Sequence, residues 1–559
     1  MTVDFLRGGR ALVSLFSVVV AGLLAYVLGE VALPSGDKCH GTSIIVWSST
    51  EPGKARTDPP NGVVQRAARE YSCVTVVPIS SGFAEQAIAG SANPAELPDV
   101  WLPTHSFWNA MLADETRYDE SLGSFASSRM RLYVKSGSPL DSALGGSGSV
   151  TWNDLAKQAT DGRLDLLKEN ALNSTSGAMA TILAFEAAAG GGSGISADDV
   201  RAGRLDKLAA PIERSVASYP GEIVDYLNSF KPPVDVGSLP TALINEEAVA
   251  EGFPDLTRYY RGLDLAGPDP TLDHPFLVRP KLDHRKQELA EAFHKTLTSS
   301  KWQAEFDANG FEADAPHRLT PRNGPVVSAI LERWRETLRK RISLAVTIDQ
   351  SGSTEPYKRE VAAAMTSALR SLSATDRVAF YGFPGAGGAA YEPLAPPEGF
   401  GDPTRIAVPD VPNRGGNSPV IEAVRDTADL VRDEVGANAD NPRKQAVIVI
   451  TDGEQAGAGS SAEQQRDIEG IRRYRDRGVQ VFFILVGDKP LCSIDRIYST
   501  LGSSCSGGSR PAKLDQDEQR WVYCISNRPD CPTPPPSSSG DRVRAIVKQI
   551  FDQLGGAPI

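Results

Sequence analysis

The stretch that decides the second half of the chain is Leu344–Ser353, LAVTIDQSGS. Leu344, Ala345, Val346, Thr347 and Ile348 form an apolar, β-branched run, the pattern of a strand buried on both faces of a parallel sheet. The run ends at Asp349-Gln350-Ser351-Gly352-Ser353, where a carboxylate and two hydroxyls alternate. Oxygen ligands of mixed charge at the carboxyl end of such a strand suit a hard divalent cation such as magnesium. Alone, this five-residue pattern is weak, because a Ser or Asp after a strand is more often just a helix cap. Two downstream pieces point to the cation. Gly415-Gly416-Asn417-Ser418-Pro419 precedes a helical stretch and offers a third hydroxyl. Ala446–Thr451 (AVIVIT) is a second buried strand that runs straight into Asp452-Gly453.

Those three pieces, in that order, resemble the von Willebrand factor type A domain and its metal-ion-dependent adhesion site. The resemblance covers about Arg341 to the C-terminus. It implies a Rossmann-like, doubly wound α/β domain over 342–559. It also implies a cation, Mg2+ or else Mn2+ or Ca2+, held by Asp349, Ser351, Ser353, Ser418 and Asp452. Ser418 stands where that family usually has Thr, keeping the hydroxyl and losing a methyl. The family's mode of binding implies a protein partner whose Asp or Glu carboxylate completes the coordination.

At 559 residues the chain is too long for one core. A net charge of −12 gives no basic footprint for nucleic acid. Ala11–Leu28 is apolar and uncharged, with Arg7 and Arg10 before it. That length spans a bilayer, and the positive flank places residues 1–10 in the cytoplasm and everything after the anchor, 11–33, outside. The alternative is a cleaved signal peptide, but a cut after Ala32 would put Glu30 at its −3 place. The expected location is the cell membrane, single-pass, with the bulk of the chain extracytoplasmic. Six cysteines, Cys39, Cys73, Cys492, Cys505, Cys524 and Cys531, suit disulfides in an oxidising compartment. If the strands after Cys39 and at Cys73 are parallel neighbours, those two share one end and can bridge; the other four allow three pairings.

From Gly41 to about His317 short strands alternate with helical stretches, which argues for parallel α/β sheets. Pro98-Asp99-Val100-Trp101, Thr151-Trp152-Asn153-Asp154-Leu155, Asp273-His274-Pro275-Phe276 and the helical text Gln287–Gly310 resemble, in that order, bacterial extracellular solute-binding proteins of the two-lobed periplasmic type. The resemblance implies such a domain over 40–320, crossing to a second lobe near Met130 and returning near Ala248. Its cleft would be lined by loops at strand ends and helix starts: Ser48, Ser49, Thr50, Ser81, Thr104, Ser174, Thr175 and Ser176, with Ser174 or Ser176 equally readable as a helix cap. In 325–341, Val327, Ile330, Leu331, Trp334 and Leu338 fall on one face of a linker helix. About 491–539 reads as a Cys-rich, Pro/Ser-bearing insertion.

Nothing in the text nominates catalysis. Ser351 is not in a G-x-S-x-G elbow, no phosphate loop occurs, and no general base pairs with the cation loops. The expected protein is a membrane-anchored extracytoplasmic binding protein. One half takes a small solute or serves as a scaffold; the other binds a protein through the cation. A transport receptor and an assembly or chaperone-like factor for the cell envelope are the alternatives.

Overall fold

The structure is a computed structural model. It describes residues 39, 41–49, 62–91, 97–191, 194–220, 223, 239–312, 319, 322–384, 391–397, 399–415, 418–436, 443–452, 466–471, 479–486, 522–524, 543, 546–547, 550–551 and 554. The expected anchor, Thr50, and Cys492, Cys505 and Cys531 lie outside them. No helix among the described residues is long and apolar enough to cross a membrane. The chain divides into two compact units, Met1–Leu338 and Arg339–Ile559.

The first unit holds two sheets. β1 (Ile44–Ser48), β2 (Val74–Pro78) and β3 (Val100–Leu102) are parallel, and β11 (Leu277–Val278) closes the order β11-β3-β1-β2 antiparallel to β3. Side chains alternate across it as the pleat requires. Val46, Val100 and Leu102 pack with Phe276, Phe293 and Phe306 on one face, while Trp47 and Trp101 face Phe107 and Trp108 on the other. Cys39 and Cys73 are bridged at one end of the β1–β2 pair, Cα to Cα 5.7 Å.

The second sheet is built from β4 (Ser128–Lys135), β5 (Ser149–Thr151), β6 (Leu166–Leu167), β7 (Val216–Ser218), β8 (Ala242–Glu246), β9 (Tyr260–Ala266) and β10 (Thr271–Leu272). Its order is β5-β9-β4-β8-β6-β7, with β10 on β4. The crossing near Met130 falls within β4. The return does not fall near Ala248: that residue packs in the first lobe's core, but β9 then pairs Leu263 with Leu132 in the second sheet. The final return runs through β10 to β11, because β9 supplies the pairing between β4 and β5.

Helix Trp152–Thr160 starts with a capping box, Thr151 and Asp154 each satisfying the other's backbone N–H. Helix Thr175–Ala188 is built largely of small and apolar residues and is buried almost all round. Helix Gly324–Arg333 continues into a π-helical turn, Trp334–Leu338, and both bury their apolar face in the first unit's main core.

In the second unit the described strands are β12 (Arg341–Asp349), β13 (Arg377–Phe383), β14 (Glu392–Ala395), β15 (Arg443–Thr451), β16 (Val479–Leu485) and β17 (Val522–Cys524). They are ordered β14-β13-β12-β15-β16-β17 and all parallel except β14. Leu344, Val346 and Ile348 pack in the core containing Val361 and Met365 of helix Lys358–Leu369; Ala345 faces the opposite core with Val420 and Val424 of helix Val420–Gly436. The chain leaves β12 for β13 on one side and later takes up β15 on the other. The crevice at the carboxyl ends of β12 and β15 is therefore the switch point at which such sheets place their sites. In the basic stretch Arg333–Arg341, Arg333 pairs with Asp206 at 2.6 Å and buried Arg339 with Asp376 at 2.5 Å.

Candidate metal centre and lobe seam

All five predicted cation ligands meet at that crevice. Asp349, the last residue of β12, is fully buried. Its Oδ1 accepts from the Ser351 backbone N–H at 2.9 Å and from Ser418 Oγ at 2.9 Å. Its Oδ2 accepts from Thr451 Oγ1 at 2.8 Å. Ser351 Oγ lies 3.0 Å from Ser353 Oγ, which donates to Asp452 Oδ2 at 2.6 Å. Thr354 Oγ1 donates to the Asp349 and Ser351 carbonyls, both at 2.9 Å, and so pins the first loop. Beneath it Gln350 lies so close to Gly382 that a Cβ there would stand 2.5 Å from the amide carbon. Thr451 is the residue that the sequence reading missed. The apolar run marks it as strand, which it is, and its place at the strand's end next to Asp452 is the signal that points to the site.

Burial raises the pKa of Asp349 above the usual carboxylate range, and the bonds from Ser351, Thr451 and Ser418 pull it back. The donor set is two carboxylates and three hydroxyls. That all-oxygen chemistry fits a hard cation such as magnesium, manganese or calcium, and gives a thiophilic metal no soft ligand. Among the described residues no three His, Cys, Asp or Glu side chains gather into a group, so the hydroxyls are essential to any such site.

The solute-cleft candidates lie between the lobes, where Gly82 N–H donates to Asn173 O at 3.0 Å. Most of their hydroxyls are engaged within the protein. Ser48 Oγ donates to the Ser49 carbonyl, and Ser81 Oγ accepts from the Thr104 N–H at 3.1 Å. Ser174 Oγ caps the helix at Ser176 N–H and donates to Glu169, and Thr175 Oγ1 accepts from Trp108 Nε1 at 2.9 Å. Ser49 Oγ, Ser176 Oγ and both amide atoms of Asn173 are buried without a hydrogen-bond partner among the described residues. Buried polar atoms in that state are uncommon and mark where a polar occupant would be welcome.

With both sites in view, the relatives can be placed. Residues 63–312 match the family model of the bacterial extracellular solute-binding protein. The matched stretch runs from the helix after β1 past helix Ser300–Asp307, and it is this stretch that is similar to that family. No curated protein matches the chain. Among solved structures it is similar to the sulfate-binding protein SubI from Mycobacterium tuberculosis H37Rv, at 18% identity over 49% of this chain and 88% of that one, TM-score 0.34. It is also similar to the periplasmic binding protein AfuA from Actinobacillus pleuropneumoniae, at 10% identity over 52% and 97%, TM-score 0.37. A third is the pilus adhesin SpaC from Lactobacillus rhamnosus GG, at 14% over 40% and 31%, TM-score 0.28.

Proposed function

We propose that the chain is an extracytoplasmic binding protein with two binding modules. A solute-binding-type unit takes a small polar ligand at the lobe seam, and a von Willebrand factor type A unit binds a protein partner through a divalent cation. The observation that carries the second half is the convergence of Asp349, Ser351, Ser353, Ser418 and Asp452 from three loops. Those residues would hold Mg2+, Mn2+ or Ca2+. When bound, such a cation supplies a positive centre able to take a carboxylate from outside. Thr354 and Thr451 hold the first loop and the Asp349 carboxylate in place, and Ser353 orients Asp452.

The match over 63–312 supports the first half and equally favours a second reading, a receptor that hands its solute to a transport system. Membrane attachment through Ala11–Leu28 completes the proposal. The test is thermal unfolding with and without magnesium or manganese, beside Asp349→Ala. A ligand that binds only the folded state stabilises it by ~2.7 kcal/mol at a hundredfold excess over its Kd. A metal-dependent rise in Tm that disappears in the variant is expected. No rise in the wild type would end the cation reading and leave only the seam.

A further inference from the structure

We infer that Arg322–Leu338 is a built-in staple that holds the two lobes of the first unit together, so that the seam does not open and shut as a freely hinged cleft. The staple lies beyond residue 312, where the match to the solute-binding family ends, and stands independently of any cation at Asp349.

Its helix, Gly324–Arg333, packs on helix Phe107–Met111 of the first lobe and on helices Thr175–Ala188 and Ala197–Arg201 of the second. At its start, a Cβ on Gly324 would stand 1.8 Å from the Ala110 carbonyl oxygen, so only glycine allows the helix to sit this close to the first lobe. Just before it, the Arg322 guanidinium reaches both sides. It donates to Glu186 Oε1 of the second lobe at 3.0 Å, to His105 Nε2 of the first at 2.8 Å, and to the Asp269 carbonyl in the connecting segment at 2.8 Å. A planar, forked donor set is what such a three-way contact needs, and Lys cannot reproduce it. His105 is fully buried, and burial lowers its pKa to about 3, which leaves its ring neutral and able to accept.

The far end is fixed in the second lobe: Arg333 pairs with Asp206 at 2.6 Å, and Trp334 Nε1 donates to Glu213 Oε2 at 2.9 Å. Between these anchors Val327, Ile330 and Leu331 belong to one continuous core with Trp47, Trp108, Met179 and Phe185. Parting the lobes would therefore break either the Arg322–His105 bond and the packing on helix Phe107–Met111 or the anchors in the second lobe, and would wet a core that crosses the seam. The unpartnered Ser49, Asn173 and Ser176 atoms pull the other way, toward hydration.

Hydrogen–deuterium exchange on the full chain, read by mass spectrometry, tests the staple. In the wild type, peptides covering 81–90 and 170–176 should exchange as slowly as those of β4. In Arg322→Ala the seam peptides should exchange at least tenfold faster while β4 is unchanged, with Arg322→Lys between the two. Glu186→Gln, which weakens only the second-lobe contact, should give the same pattern more weakly. Loop-like exchange at the wild-type seam, or no change in Arg322→Ala, would overturn the inference. Equal acceleration of seam and β4 would overturn it too, since Arg322 would then support the whole fold and not the seam.

Discussion

Glu85 lies on helix Ser81–Gly90, beside the seam, 9% exposed, and burial alone raises its pKa from 4.5 to about 7. A carboxyl with a raised folded-state pKa binds its proton more tightly folded than unfolded. Its stability contribution is therefore complete below the unfolded value and lost as pH rises through the folded one. With ~1.4 kcal/mol per pKa unit, the difference between pH 5 and pH 8 comes to about 2.5 kcal/mol, to order of magnitude. The raw pH profile will hide it. His105, whose pKa burial lowers to about 3, stays neutral when folded, so stability is lost as pH falls below 6.5, by about 2 kcal/mol at pH 5. The comparison that isolates Glu85 is Glu85→Gln, which keeps the shape and cannot ionise. Urea unfolding followed by tryptophan fluorescence reads the first unit well, because six of the seven tryptophans lie before Arg339. Wild type and variant should be within about 1 kcal/mol at pH 5, and the variant more stable by about 2–3 kcal/mol at pH 8. A difference that stays constant across that range would refute the reasoning.

Two further perturbations test the first unit's core. Lys168 and Glu213 form a buried pair; Glu213 also accepts from Tyr219 and Trp334, and Lys168 donates to Thr181. Glu213→Gln, which strands the ammonium, should cost ~3–5 kcal/mol, and adding Lys168→Met should restore at least half of that, since a neutralised pair need not be worse than the ionic one; a double variant as unstable as the single would be the contrary result. Removing the disulfide by Cys39→Ala with Cys73→Ala frees a loop closed over 34 residues and should cost about 3–4 kcal/mol in the chain-entropy account. An unchanged urea midpoint would show that the bridge adds nothing.

The site in the second unit was legible because its parts are local. Four of the five candidate ligands stand within a few residues of the end of β12 or β15, Ser418 standing just before a helix, and a buried strand announces itself as an apolar run: LAVTI before Asp349, AVIVIT before Asp452. A parallel sheet then brings the ends of neighbouring strands together without further instruction. Thr451 was lost because a β-branched residue closing such a run looks like strand. The first unit was legible in class and mostly not in detail. The return at Thr271–Val278 escaped because β9 re-enters the second sheet, a pairing between residues over a hundred positions apart. Arg322, Glu186 and His105 carry no local pattern, and neither do Lys168 and Glu213. The serines and threonines nominated for the cleft follow a correct rule, hydroxyls at helix starts, but the same geometry lets most of them bond to the backbone or to neighbouring side chains.

The two candidate sites differ in a way that bears on what each can do. At Asp349 the oxygens are already drawn together by their own hydrogen bonds, on loops fixed by Thr354, Thr451 and Gln350. A cation arriving there would replace bonds among ligands that already stand close, so little conformational entropy opposes it. At the seam the free polar atoms, Ser49, Asn173 and Ser176, sit behind a core that Arg322 and helix Gly324–Arg333 hold shut. A solute entering there must first part the staple, which lowers its affinity by the fraction of open molecules. The same staple would slow its release. A unit built this way fits slow capture or a scaffold better than rapid hand-over to a permease. The exchange rates of the seam amides decide between them, because a transport receptor needs a seam that opens on the timescale of its turnover.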